Sequence, residues 1–196
     1  MIWTLILAAG RSERMGSAKL LLPWGDKTVI EAVVRAALDS EADGTAVVVG
    51  SRSDEIGRAI EKYPVHVLDN PDFEKGMLSS VQRGFDGIPE GGRAVLVLLG
   101  DQPFITGALI NQVISAYRET GKGIVLPVHE GRRGHPVLFD LKYRNDVMGL
   151  DPEIGLRELL RRHPGDIFAL EVENPGVGMD LDTPEDYARV TRRTGR

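Results

Sequence analysis

The chain has 196 residues, enough for one domain with an extensive core, and 42% hydrophobic and 27% charged residues, as in globular proteins. A formal net charge of −5 disfavours a general nucleic-acid or membrane-surface binder, and the lack of cysteine excludes disulfides, thiolate nucleophiles and sulfur-ligated zinc. The N-terminus does not resemble a signal peptide, and no segment reaches the ~20 apolar residues of a membrane span. We therefore expect a cytoplasmic protein.

Apolar runs and helix-like periodicities alternate along the chain. Strands are predicted for the short apolar runs at residues 2–7, 45–49, 65–68, 94–99, 123–127, 136–139 and 166–172. Helices are predicted where apolar residues recur at helical spacing, at residues 28–38, 53–62, 77–85, 109–117, 155–162 and 184–190. The run AVLVLL at 94–99 is continuous and apolar, as expected for a central parallel strand. This alternation predicts one α/β domain, with a mostly parallel, Rossmann-like sheet between two helix layers.

The first predicted strand leads into a loop rich in glycine and cations, LAAGRSERMGSAK. A strand followed by a glycine loop and a helix allows backbone N–H groups to cradle phosphate. Arg11, Arg14 and Lys19 can add charge-assisted hydrogen bonds to phosphate oxygens. The loop contains neither the GxxxxGK[ST] pattern nor GxGxxG. The alternative is an ordinary connection with solvated basic residues.

A second candidate lies in GDQP, directly after AVLVLL. Asp101 is at the carboxyl end of a predicted central parallel strand, where α/β proteins bind ligands. Its carboxylate can hold Mg²⁺, which takes one or two carboxylates together with phosphate oxygens. The alternative is that Asp101 caps the following helix.

Five segments in matching order resemble the MobA-like nucleotidyltransferases: LAAGRSERMGSAK, NPDFEKGMLSSV, GDQP, GHP and DLDTPEDY. The first of these segments contains Ala9 and is followed by LLLP, and in both respects it is most similar to the molybdenum cofactor cytidylyltransferase branch of the family. Glu13 in the loop and Glu74-Lys75 before Gly76 depart from the pattern. The resemblance implies a nucleotide-diphospho-sugar transferase type of fold, with a nucleotide-binding half at about 1–105 and an acceptor-binding half at about 106–196.

The resemblance also implies roles for individual residues, with the loop wrapped around a triphosphate. Catalytic roles fall on Lys19, Arg14 and Asp101. Nucleotide-binding positions are Leu7, Ala8, Ala9, Gly10, Arg11, Ser12, Arg14, Lys19, Gly76, Ser80 and Asp101. Acceptor-binding positions are Gln102, Pro103, Gly134, His135 and Pro136, with Arg132 and Arg133 as positive charge nearby or as a solvated loop.

The segment MDLDTPEDY leads into the last predicted helix. Asp180 and Asp182 alternate along it and therefore project to the same side of an extended chain. One of them would complete the metal site with Asp101, and Asp182 is favoured because it lies closer to the helix. The alternative is that Asp182 or Thr183 is the N-cap, and Glu185 and Asp186 are assigned to the helix dipole.

The activity implied by the resemblance is Mg²⁺-dependent transfer of CMP from CTP to a molybdopterin-type phosphorylated acceptor, with release of pyrophosphate. The attacking phosphate is already ionised, so charge neutralisation matters more than a strong base. Transient contact with a molybdoenzyme or its chaperone is expected, and no nucleic-acid or membrane partner. The alternatives are use of GTP or of a sugar phosphate, a non-catalytic cofactor carrier, and a nicotinamide-dependent redox enzyme.

Overall fold

The computed structural model describes residues 1–11, 18–181 and 183–194, without the side chains of Arg189 and of residues 191–194. Ten strands lie in these residues: β1 (Ile2–Ala8), β2 (Pro23–Trp24), β3 (Lys27–Thr28), β4 (Gly44–Val49), β5 (His66–Asp69), β6 (Ala94–Leu99), β7 (Ile124–His129), β8 (Arg132–Arg133), β9 (Val137–Asp140) and β10 (Ile167–Glu171). The main sheet has the order β10-β7-β9-β6-β1-β4-β5, with β8 paired to β7.

The main sheet is mostly parallel, as the sequence predicts. Strands β6, β1, β4 and β5 are parallel neighbours, and β10 is parallel to β7. Strand β9 lies antiparallel between β6 and β7 and joins the two parallel groups. The remaining strands, β2 and β3, form a separate antiparallel hairpin.

Helices cover both faces of this sheet. They are α1 (Val29–Leu38), α2 (Ser53–Ile60), α3 (Met77–Gly87), α4 (Gly107–Thr120), α5 (Arg144–Met148), α6 (Leu156–Arg162) and α7 (Pro184–Thr194). Buried side chains of α1, α2, α4 and α7 share one apolar cluster, and those of α3, α5 and α6 share the other. Along β1, Ile2 and Ile6 belong to the first cluster and Trp3 and Leu5 to the second, as strand alternation requires. This arrangement confirms the predicted three-layer α/β architecture.

Hydrogen bonds at helix N-termini bear on the capping alternatives that the sequence left open. The hydroxyl of Thr106 accepts a hydrogen bond from the Leu109 N–H at the start of α4, so Asp101 is not the cap of that helix. At α7, Thr183 and Asp186 form the reciprocal bonds of a capping box. Thr28 caps α1 in the same way with Glu31.

The connection after β1 differs from the simple strand, loop and helix of the sequence prediction. A short 3-10 turn (Lys19–Leu21) and the β2–β3 hairpin precede α1, which begins at Val29. The N-terminus of α1 therefore does not directly follow the glycine loop. Within the described residues, no helix is long and apolar enough to cross a membrane.

Candidate active site

A cavity of about 270 Å³ opens at the carboxyl ends of β1 and β6. This is the edge where parallel α/β sheets bind ligands. Residues of the β1 end, the following turn, the start of α3 and the β6 end meet here: Leu7, Ala8, Ala9, Gly10, Lys19, Leu20, Phe73, Gly76, Met77, Ser80, Leu99 and Asp101. The cavity thus brings together described residues from three of the five segments that carry the family resemblance.

The centre of the polar lining is an ion pair between Lys19 and Asp101. Lys19 Nζ lies 2.5 Å from Asp101 Oδ2, and the two side chains are 14% and 18% exposed. Burial raises the pKa of the Asp101 carboxyl, and the negative charge of Asp180 adds to this rise. The Lys19 ammonium lowers the pKa, but the net shift is upward. A carboxylate whose charged form is disfavoured at a cavity is well suited to bind a cation.

Asp180 approaches the same carboxylate from the C-terminal segment. The backbone N–H of Leu181 donates to the carbonyl of Asp101 at 3.4 Å, and Gln102 Nε2 donates to Asp180 Oδ1 at 2.6 Å. Asp101 and Asp180 therefore offer two sets of hard carboxylate oxygens within electrostatic range of each other. Such donors suit a divalent cation that takes its other ligands from phosphate and water. Among the residues that the structure describes, no group of three or more metal-ligating side chains occurs.

The start of α3 forms the opposite wall of the cavity. Gly76 precedes this helix with φ = 92°, a conformation that other residues adopt only with strain. Asn70 is 2% exposed, and its Nδ2 donates to the hydroxyls of Ser79 and Ser80 at 3.0 Å each. Ser80 therefore lines the cavity with its hydroxyl oriented by a buried amide.

The first part of the glycine loop, at Gly10 and Arg11, is tied to the same wall. Arg11 forms an ion pair with Glu74, and its guanidinium lies 5.6 Å from the centroid of the Phe73 ring. Ser51 Oγ donates to the Gly10 carbonyl at 3.1 Å. A Cβ added at Gly10 would meet no described atom within 4 Å, so packing does not require glycine here. The space that the described residues leave next to its backbone is compatible with close approach of a phosphate.

The predicted acceptor residues Gly134, His135 and Pro136 lie near the segment that carries Asp180, outside the lining of this cavity. A Cβ on Gly134 would lie 1.9 Å from the Val177 carbonyl oxygen, so the two backbones approach too closely for any other residue. The His135 N–H donates to this same carbonyl at 3.1 Å, and Pro136 is buried. Burial lowers the pKa of His135 and the charge of Asp180 partly opposes this, so the imidazole favours its neutral form.

Some predicted site residues lie neither in the cavity lining nor in the described segment around Asp180. Ser12, Arg14 and Asp182 lie outside the described residues. Pro103 is buried and borders a separate cavity between α1 and the β2–β3 hairpin. Arg132 and Arg133 are exposed on β8.

Four lining residues are absent from the sequence prediction: Leu20, Phe73, Met77 and Leu99. Phe73 and Met77 flank Gly76 within a segment that already carried the resemblance, so that segment contained the signal. Leu20 and Leu99 are apolar positions after the loop and at the strand end, and only the fold distinguishes them from core residues.

At its carboxyl edge, the mostly parallel sheet carries a paired lysine and aspartate, a nearby second carboxylate and the start of a glycine loop. The profile of the MobA-like NTP transferase domain matches residues 4–167, and the chain belongs to this family. It is accordingly a nucleotidyltransferase.

Comparison with known proteins gives relatives over nearly the full length. The chain is 28% identical over 190 residues to the molybdenum cofactor cytidylyltransferase of Escherichia coli, covering 96% of this chain and 95% of the relative. It is 27% identical to the nicotine blue oxidoreductase of Paenarthrobacter nicotinovorans, covering 95% and 94%. The crystal structure of Rv0371c from Mycobacterium tuberculosis superposes with a TM-score of 0.87 at 26% identity, covering 97% of each chain. A second structure of that protein is a complex with manganese.

Proposed function

We propose that this protein transfers CMP from CTP to the terminal phosphate of a molybdopterin-type acceptor, in a Mg²⁺-dependent reaction. The observation that carries the proposal is the Lys19–Asp101 pair in the cavity at the carboxyl ends of β1 and β6. Similarity to the E. coli cytidylyltransferase supports the choice of CTP and of this acceptor class. Ala9, one of the residues on which the resemblance to the cytidylyltransferase branch rests, also favours cytidine.

The reaction joins an acceptor phosphate oxygen to the α-phosphorus of CTP and breaks the bond from that phosphorus to the bridging oxygen. Pyrophosphate leaves with the bonding electrons. Its main obstacle is the repulsion between two anions in a cleft of low dielectric. Mg²⁺ would supply positive charge next to the phosphates, and Asp101 with Asp180 or Asp182 would hold it.

The chain's own residues would bind and orient the substrates. Lys19 would neutralise triphosphate charge, and Arg14 would do the same from the loop, on the strength of the resemblance. The Gly76 end of α3 and the oriented hydroxyl of Ser80 would face the base and ribose. His135 would contact the acceptor from beside Asp180.

A pyrophosphate-release assay with CTP, GTP, ATP and UTP, each with and without molybdenum cofactor, tests the proposal. We expect release that requires both CTP and the cofactor and that stops when Mg²⁺ is chelated. Faster release with GTP would assign the guanylyl-transferring alternative, and release with a sugar phosphate in place of the cofactor would assign a different acceptor. Binding of the cofactor without release from any nucleotide would favour a carrier.

Similarity to the nicotine blue oxidoreductase supports a second candidate, a redox enzyme on the same fold. Its test is the absorbance of reduced nicotinamide cofactors, followed with and without the protein. Oxidation of NADH or NADPH that depends on an added acceptor would support this candidate, and an unchanged absorbance would remove it.

A further inference from the structure

The side chain of Gln102 is enclosed next to the candidate metal ligands. It is 2% exposed, and its Nε2 donates to Asp180 Oδ1 at 2.6 Å. Its Oε1 is also buried and has no hydrogen-bond partner in the described part of the chain. A side chain so enclosed is poorly placed for direct contact with an acceptor molecule. Its geometry is directed toward Asp180 instead.

The backbone of Gln102 is fixed in the turn that follows β6. Its N–H donates to the Leu99 carbonyl at 3.2 Å, and its own carbonyl accepts from the Ile105 N–H at 3.2 Å. The turn thereby holds the side-chain amide at a defined distance from the end of β6, where Asp101 lies. Little conformational freedom remains for the amide donor.

The segment that carries Asp180 is fixed at its backbone on both sides. Before Asp180, the Val177 carbonyl accepts from the His135 N–H at 3.1 Å; after it, the Leu181 N–H donates to the Asp101 carbonyl at 3.4 Å. These bonds bring the backbone of the segment to Asp101, but they do not restrict the rotamer of the exposed Asp180 side chain. The described hydrogen bond that fixes the carboxylate is the one from Gln102.

We propose that Gln102 is a positioning residue that holds the Asp180 carboxylate beside Asp101, so that both face one bound divalent cation. This inference rests on the proposed metal-dependent function. The amide engages Oδ1 and leaves the second carboxylate oxygen as a ligand atom. An amide N–H donates to a carboxylate without adding charge, whereas a glutamate here would repel Asp180. Outer partners of this kind orient the ligands of metal sites.

The test measures how much Mn²⁺ tightens the binding of α,β-methylene-CTP, an analogue that cannot release pyrophosphate, by titration calorimetry with and without the metal. Q102L removes the donor at nearly constant size. We expect it to reduce the metal-dependent gain in affinity about 10–100-fold and to leave the metal-free affinity within about twofold. The matched control is Q82L, because Gln82 Nε2 donates to the carbonyls of Val147 and Met148 away from the site. Q82L should keep the full metal-dependent gain.

A double mutant separates positioning from a general effect on folding. In a D180A background the Q102L change should cause no further loss of the metal-dependent gain, because its partner is already absent. Q102N, whose amide is one methylene too short, should show the same loss as Q102L and serves if Q102L does not fold.

Three results would overturn the inference. They are an unchanged metal-dependent gain in Q102L, an equal further loss in the D180A background, and a raised acceptor KM with intact metal dependence. The last would give Gln102 the acceptor-binding role that the resemblance implies. If wild-type protein itself shows no metal-dependent gain, the proposed function fails together with this inference.

Discussion

Two aspartates of this protein are each paired with a lysine, and their surroundings shift their pKa values in opposite directions. Asp101 lies 2.5 Å from Lys19, and its pKa is raised. Asp166 lies 2.7 Å from Lys142, and its pKa is lowered to about 2. The first pair lines the cavity at the carboxyl ends of β1 and β6, and the second joins the turn after β9 to the turn before β10.

The number of donors explains the difference. Burial acts to raise the pKa of Asp166, but hydrogen bonds from Lys142, the Tyr143 hydroxyl and the Gly123 backbone outweigh it. Asp101 is more deeply buried, and among the described residues Lys19 is the side chain that lowers its pKa. The negative charge of Asp180 raises that pKa further. A carboxylate satisfied by its own fold stabilises that fold. A carboxylate left short of positive charge at a cavity can gain more from a bound cation.

The largest expected effect comes from removing the charge of Asp101. D101N should lower the turnover number for pyrophosphate release about 10³-fold, because it removes a proposed carboxylate ligand of the cation that would neutralise transition-state charge. Its free energy of unfolding should stay within about 1 kcal/mol of wild type, because the ionised carboxylate is already disfavoured by burial. The matched variant D166N should retain the wild-type turnover number. Equal activities of D101N and wild type would remove the functional distinction between the two pairs.

The lysines allow the same comparison from the cationic side. K19M should reduce kcat/KM for the nucleotide about 10²-fold, because the positive charge proposed to neutralise the triphosphate is lost. K142M should leave kcat/KM unchanged and lower the thermal midpoint. Steady-state kinetics and thermal unfolding of both variants provide the check. Loss of kcat/KM in K142M but not in K19M would place the nucleotide at the Lys142–Asp166 pair and contradict the account.

The third expected effect is on stability and its pH dependence. The folded pKa of Asp166 is about 2 and its unfolded value about 3.9, so its ionised form favours the folded state. This contribution, about 2 kcal/mol, is fully present above pH 4 and is lost as the pH falls through about 2. Urea unfolding of D166N should therefore show the deficit at pH 7 and little deficit near pH 2.

The control for D166N is D86N. Asp86 is exposed, and its carboxylate lies 4.0 Å from Arg83, so the two form at most a weak ion pair. D86N should change stability by less than about 0.5 kcal/mol at either pH. If D166N lowers the free energy of unfolding equally at pH 7 and pH 2, packing of Asp166 and not its charge stabilises the contact between the turn after β9 and the turn before β10.

The smallest expected effect comes from one donor of the Asp166 site. Y143F should cost about 1 kcal/mol, because the buried hydroxyl donates to Asp166 and the ring itself remains packed. The pKa of Asp166, followed by NMR of its carboxyl carbon, should rise in this variant. Y63F should cost less, because the Tyr63 hydroxyl lies 3.3 Å from Glu31, which has Thr28 and Lys62 as further partners. A pKa of Asp166 unchanged by Y143F would contradict the explanation by donor number.

Sequence periodicity was sufficient for the fold but not for its short elements. The seven long strands and six of the seven helices lie within a few residues of their predicted positions, because each buries a continuous or periodic apolar face. Strands β2, β3 and β8 and helix α5 were not predicted. They span two to five residues each, which is too short for a periodicity to appear.

The sequence predicted eight of the residues that line the cavity, but not the contacts between their side chains. Strand ends placed Asp101 and the glycine loop at one edge of the sheet, so their proximity follows from topology. Nothing in the sequence indicated that Gln102 is buried against Asp180, or that Glu74 pairs with Arg11. Such contacts join segments that are far apart in the chain, and they depend on how the C-terminal segment and the turn before α3 pack.

The most direct test is a crystal structure with α,β-methylene-CTP and Mn²⁺ bound, in which anomalous scattering locates the metal. The triphosphate should lie in the cavity against Lys19 and Gly10, with the Mn²⁺ peak at coordination distance from a carboxylate oxygen of Asp101 and from the phosphates. A nucleotide bound elsewhere, or a metal peak that does not touch Asp101, would contradict the assignment of this cavity as the catalytic site.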